Sequence, residues 1–301
     1  VETEKTRSLQ HAEQHENDTT FEQWLDRQVN ELQRTRSLRR TRTPDIQTLP
    51  VVVHVIYGNG LENISEAQIL SQIEVLNQDY RRQNPNRERT PAQFEDRAID
   101  TGIEFCLAGI DPQGRPTNGI HRVSMSGGPF TERQVNEIIK PSTIWDPSRY
   151  LNIWVCNLAN GILGFAQFPV SSGLSGVPPT SDIAERDGVV IHFTVFGTLG
   201  TVSPPFDRGR TATHEIGHFL GLRHIWGDGP CGQDDYCADT PPTASAHYAC
   251  PASAIACSGG AAMVQNFMDY TDDACMSLFT RDQRNRMQAV LASSPRRASL
   301  A

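Results

Sequence analysis

The chain has 301 residues, with 27 Lys and Arg against 35 Asp and Glu, a formal charge of −8 and 38% hydrophobic residues. That length holds one large or two modest domains with a real core, and the composition excludes collagen-like, low-complexity and wholly disordered chains. The acidic balance argues against general phosphate-backbone binding, which runs on clustered Lys and Arg, and no run approaches the roughly 20 apolar residues of a membrane helix, so neither nucleic acid nor membrane is expected as a partner.

Val1 opens no charged-then-apolar targeting segment. In chain order, Phe21, Trp24, Leu25, Val29 and Leu32 recur at helical spacing, which predicts an amphipathic helix in need of a surface to lie against. The run 34–42 follows, with five arginines in nine residues and no acid. It reads as an exposed basic linker between residues 1–42 and the body. The β-branched run 49–57 predicts a strand. Residues 65–80 predict a helix with Ser65 and Gln68 as capping box and Ile69, Ile73, Leu76 and Tyr80 on one face. Further strands are expected in 103–110, 150–158 and 188–197. Helices are expected over 208–220, ending at Gly221, and over 279–292, with Thr280 and Gln283 as capping box. Strands and helices mixed without strict βαβ alternation give an α+β class. Residues 227–266 show little periodicity, and so long a loop in a compact domain carries function or staples.

Cysteine placement separates two kinds. Cys106 and Cys156 lie in apolar runs and read as small core hydrophobes. Cys231, Cys237, Cys250, Cys257 and Cys275 lie among Gly, Pro, Ser and Asp, where disulfides contribute most. No CxxC pair marks a thiolate zinc site, so an oxidising compartment, secreted or periplasmic, is the reading.

The decisive segment is HEIGHFLGLRH, His214 to His224. Four residues apart on a helix, His214 and His218 share one face and can hold one metal ion, with Glu215 beside it. Gly221 lets the chain leave the helix in a conformation other residues resist, and His224 can swing back as a third ligand. Three neutral imidazoles leave a tetrahedral position open, the pattern of a catalytic zinc site rather than a structural one.

This motif, followed by NFMDY with Met268 44 residues beyond His224, resembles the metzincin metallopeptidases. Within them HEIGHFLGLRHIWGD, DDYCADTPP and NFMDYTDDACMSLFT are similar to the pappalysin family, over about a third of the chain. The resemblance implies a metzincin-type zincin: a twisted mixed sheet, an active-site helix and a loop-rich C-terminal subdomain, with residues 43–221 above the cleft and 222–301 below it. It implies His214, His218 and His224 as zinc ligands, Glu215 as general base, Met268 beneath the metal, and Tyr270 stabilising the tetrahedral intermediate. Gly164, Phe165 and Ala166 would form the edge strand along which substrate runs antiparallel. The family's disulfides would correspond to Cys231 with Cys257 and Cys250 with Cys275, which leaves Cys237 without a counterpart. A calcium site would fall on Asp235, Asp239 and Thr240; hard oxygen donors in a loop suit calcium, though a solvated acidic loop with Asx-turns reads the same way.

Family members of this kind cleave before Arg and Lys through an acidic S1′ pocket. Asp272 and Asp273 follow the Met-turn closely, and either could accept a guanidinium fork or be an ordinary turn residue. The substrates expected are therefore proteins and peptides with basic residues, and the arginine run 34–42 becomes a self-processing site that makes residues 1–42 an inhibitory pro-segment. No Cys precedes Cys106, which excludes a cysteine latency switch. An acid such as Asp18 or a histidine such as His15 would have to serve. The competing classes are a non-catalytic binding module that keeps the fold, and an exopeptidase.

Overall fold

A computed structural model describes residues 18–38, 46–169 and 183–300. Its centre is a six-stranded mixed sheet in the order β2-β1-β4-β6-β5, with β3 pairing β1 beyond β2. The strands are β1 (Gln47–Tyr57), β2 (Ile103–Leu107), β3 (Ile120–Ser124), β4 (Leu151–Cys156), β5 (Gly164–Ala166) and β6 (Val189–His192). All pairings are parallel except β5 on β6.

β1 is central and covered on both faces, which is why its sequence is a nearly unbroken apolar run. Val51, Val53 and Val55 face a core that includes Ile69, Ile73, Leu76 and Tyr80 of α2 (Glu66–Tyr80) and Ala212, Ile216 and Phe219 of α5 (Arg210–Phe219). On the other face Ile56 and Trp154 pack with Phe130, Val135 and Ile139. That cover is a helical segment that starts as α3 (Glu132–Gln134), loosens into a π turn (Val135–Ile139) and ends as α4 (Lys140–Thr143). The one polar residue in the middle of the run, His54, is fully buried. It lies 2.8 Å from Asn152 Oδ1 and stacks on Trp154, and burial pulls its pKa down to about 3, so it sits in the sheet as a neutral ring.

α1 (Asp18–Leu38) and α6 (Arg281–Ser293) pack together. Phe21 and Leu25 bury against Ala289 and Val290, each worth about 1.5–3 kcal/mol of transfer free energy. The amphipathic face read from the N-terminal segment thus finds its surface on the C-terminal helix. α1 runs through Leu38, so the first residues of the arginine run are helical rather than linker. The remainder of that run, together with His15 and the Asp18 side chain, lies outside the described residues.

Other expectations need correction. The strand expected over 188–197 ends at His192, whose ring accepts from the Thr194 N–H and turns the chain into a short 3-10 helix. Ser65 caps α2 through the Gln68 N–H, but the box is not reciprocal: the Gln68 amide donates instead to Phe193 O, Phe196 O and Thr201 Oγ1. At α6 both halves of the Thr280–Gln283 box are present. Cys106 is exposed, because β2 lies at the sheet edge and alternation carries this position away from the core that holds Ile103 and Phe105; Cys156 is buried as expected. Cys231 pairs with Cys257 and Cys250 with Cys275, while Cys237 is a buried free thiol whose pKa burial pushes upward.

Candidate active site

α5 is entered through its N-cap Gly209, whose positive φ of 70° turns the chain into the helix. Its first N–H groups need an anion, and Asp273 supplies it: Oδ2 accepts from the Arg208 and Arg210 N–H groups at 2.9 and 3.2 Å. Asp273 is fully buried there. Its reading as a specificity residue thus falls on a buried carboxylate that also braces the start of the helix. Asp272, its neighbour, remains partly exposed.

His214, His218 and His224 are all buried, and their ligand atoms lie within 4.8 Å of one another. Nε2 of His218 is 3.0 Å from Nε2 of His214 and 3.1 Å from Nε2 of His224. Each Nδ1 meets an acceptor: Phe267 O for His214, Leu222 O for His218, both at 2.7 Å, and Asp228 Oδ1 for His224. The protons therefore sit on Nδ1, and three Nε2 lone pairs are aimed at one another, an arrangement that a cation relieves. Gly221, at φ 89°, makes the turn that brings His224 back. His224 also stacks on Trp226, with ring centroids 4.2 Å apart.

Met268 is fully buried against Gly217 of α5, which lies between His214 and His218 in sequence. A Cβ on Gly217 would collide with its sulfur, which explains a glycine inside a helix, where it ordinarily costs about 1 kcal/mol. Tyr270 packs its ring 4.8 Å from that of His224 and 5.6 Å from that of His214. The segment is braced by Asp269, which accepts from the Tyr270 N–H and from the His247 ring.

Glu215 is buried and meets the edge of the sheet: a Cβ added to Gly164 in β5 would fall 2.9 Å from its Cγ. Gly164, Phe165 and Ala166 form a short antiparallel strand at the sheet's end, as expected. The loop acids are arranged less simply. Asp235 is buried and accepts from Thr240 Oγ1 and the Cys237 N–H, whereas Asp239 Oδ2 accepts from the Asp282 N–H at the start of α6. Among the described residues, the histidine trio is the group of three or more His, Cys, Asp or Glu ligand atoms gathered closely enough for one ion.

Sequence reasoning missed Asp228, Trp226 and the contact of Asp273 with the start of α5. Asp228 had a local signal, lying four residues beyond a ligand histidine. The partner of Asp273 is more than sixty residues away in sequence and left none.

The fold and this site define a metalloendopeptidase of metzincin architecture, and comparison with known proteins narrows it. Residues 133–292 match the family described as pregnancy-associated plasma protein-A. The extracellular metalloprotease 1 of Coccidioides posadasii (strain C735) is 40% identical over 243 residues, 79% of this chain and 74% of that protein. Mature mirolysin of Tannerella forsythia, solved with a cleaved peptide, is 44% identical over 86% of this chain and 96% of its own, with a TM-score of 0.78. A promirolysin mutant from the same organism is 39% identical over 97% of this chain and 92% of its own, with a TM-score of 0.81. The chain belongs to the pappalysin family of metallopeptidases.

Proposed function

We propose that this is a secreted zinc endopeptidase that cuts on the amino side of Arg and Lys and matures by autolytic removal of an inhibitory pro-segment, residues 1–42. The convergence of the three Nε2 atoms beside Glu215, against the edge strand β5, carries this reading.

Three neutral imidazoles with oriented Nδ1 protons fit zinc. When bound, zinc supplies Lewis acidity towards a peptide carbonyl and towards water. Glu215 takes the proton of the attacking water and passes it to the leaving amine, a role its burial between α5 and β5 supports. Tyr270 donates its hydroxyl proton to the charge that develops on the carbonyl oxygen. The backbone of Gly164, Phe165 and Ala166 takes the substrate as an added antiparallel strand. Asp272 or Asp273 meets the basic side chain after the scissile bond.

Calcium fits Asp235, Asp239 and Thr240. Burial lifts the Asp235 carboxyl to about 7 and raises that of Asp239, and Asp239 Oδ1 is buried with no hydrogen-bond partner; a hard cation satisfies all three groups. Relatives named extracellular metalloproteases and two disulfides support secretion. Latency is supported by the matches to mirolysin: the pro-form aligns with 97% of this chain and the mature form with 86%, a difference on the scale of α1 and its flanks. The two subdomains would divide at Gly221, 43–221 above and 222–301 below.

The test is to incubate wild type and Glu215→Ala with a peptide library and sequence the amino termini of the products and of the protein itself. Wild type should yield products that begin with Arg or Lys and should lose about its first 40 residues. Glu215→Ala should do neither while still binding metal. Turnover by Glu215→Ala would overturn the general-base role, and products without Arg or Lys at the new amino termini would overturn the specificity.

A further inference from the structure

The C-terminal tail beyond α6 does not trail away from the body. It returns beneath the sheet, and Arg297, 1% exposed, ends up at the junction of the zinc helix and the edge strand. Its Nε donates to Phe219 O at the end of α5, at 3.0 Å. Its Nη2 donates to Gln167 O, the residue after β5, at 3.2 Å. The guanidinium carbon lies over the Phe219 ring, 3.4 Å from its centroid. Nη1 is held by Asp187 Oδ2 at 2.7 Å, and Arg296 Nε reaches the same oxygen at 2.6 Å. Asp187 precedes β6, the strand on which β5 lies, and the Gly188 carbonyl accepts from the Gln167 N–H.

One planar group therefore touches the last turn of the helix that carries His214, Glu215 and His218 and the continuation of the strand that carries Gly164, while its charge is fixed at the root of β6. A guanidinium presents its donors in a rigid fork, so it sets a spacing that an ammonium cannot.

We propose that Arg297 is a positioning residue for peptide hydrolysis: it sets the separation between β5 and α5, and with it the register of a bound peptide against Glu215. This rests on the reading of β5 as the substrate strand. Arg297 acts on extended substrates, which engage β5, and leaves the chemical step to the residues already described.

The experiment expresses the whole chain and uses its matured form, with Arg297→Lys and Arg297→Gln, and two peptides sharing one cleavage site. One is too short to lie along β5, and the other extends several residues to either side. Active-site titration normalises all rates to the folded, metal-loaded fraction. In wild type, extension should lower KM. In Arg297→Lys the KM of the long peptide should rise about ten-fold, the scale of one lost hydrogen bond to a charged group. Its kcat and the kinetics of the short peptide should stay within about two-fold of wild type. Arg297→Gln, which can still reach one carbonyl, should fall between. A long-peptide KM that stays at the wild-type value overturns the inference, as does an equal loss for both peptides, or failure of both variants to fold, since each marks a role in stability alone. If extension leaves the wild-type KM unchanged, the substrate-strand reading fails instead.

Discussion

Nε of Arg223 lies 2.8 Å from Oε1 of Glu22, a residue 201 positions earlier in the chain. The other carboxylate oxygen of Glu22 pairs at 2.8 Å with Arg286 of α6, whose Nη2 in turn donates to Gly221 O. The N-terminal helix is thereby pinned, through one buried acid, to the turn that delivers His224. Breaking a buried pair by removing one partner costs about 3–5 kcal/mol. Glu22→Gln, made in the inert Glu215→Ala background, should lower the stability of the uncleaved form by roughly that amount in denaturant titration. In the active background it should speed loss of the pro-segment. An unchanged unfolding midpoint would show that α1 is held by its apolar face alone.

Gly164 has no room for a side chain. A Cβ there meets Glu215 Cγ and Val190 O, each at 2.9 Å. Gly164→Ala should therefore displace the carboxylate or the strand, and displacements of about 1 Å cost on the order of 100-fold in rate. A kcat/KM within two-fold of wild type would mean that Glu215 has more freedom than its packing shows.

Asp228 fixes the tautomer and direction of His224. Partners of this kind contribute roughly 10–100-fold to metal affinity. Asp228→Asn should give up zinc to a competing chelator at correspondingly lower chelator concentration, with circular dichroism unchanged. Equal retention would leave ring orientation to the stacking on Trp226.

Asp235 gives a pH-dependent prediction. With its carboxyl raised to about 7 by burial, the folded chain keeps a proton that the unfolded chain releases from about pH 4 upward. This group's contribution to stability is fully present below pH 4 and is lost as pH rises through 7. Calcium would take the place of that proton at neutral pH. A calcium-selective chelator should then lower the melting temperature by about 5 °C at pH 8 and scarcely at pH 5. Asp235→Asn should abolish both the chelator effect and this part of the pH slope; equal chelator effects at the two pH values would remove calcium from this loop.

What could be read in the chain is what short-range chemistry writes there. The HExxHxxGxxH segment specifies a helix face, a turn and a returning ligand within eleven residues, and the structure assembles His214, His218 and His224 accordingly. Thr280 and Gln283 mark the start of α6 because a cap is a local contact. Long-range pairing left no such trace. β3, too short and too polar in alternation to be noticed, exists because β1 has edge to spare beyond β2. The segment 132–143 carried the capping signal of Thr131 and Gln134, yet its π turn and its Pro141 interrupt the helical period. The bracing contact of Asp273 left no such trace either, because turn sequence and helix anchor look alike until the two segments meet.

The end strand β5 has one more consequence. It is three residues long and antiparallel, on a sheet whose other pairings are parallel, and among the described strands it pairs with β6 alone. An edge that short offers a visiting chain only two or three backbone contacts. That is enough to register an extended peptide and too few to recruit the sheet of a neighbouring folded protein. On the proposed reading of β5 as the substrate strand, its brevity would act as a filter that favours loops, tails and unfolded segments over intact domains.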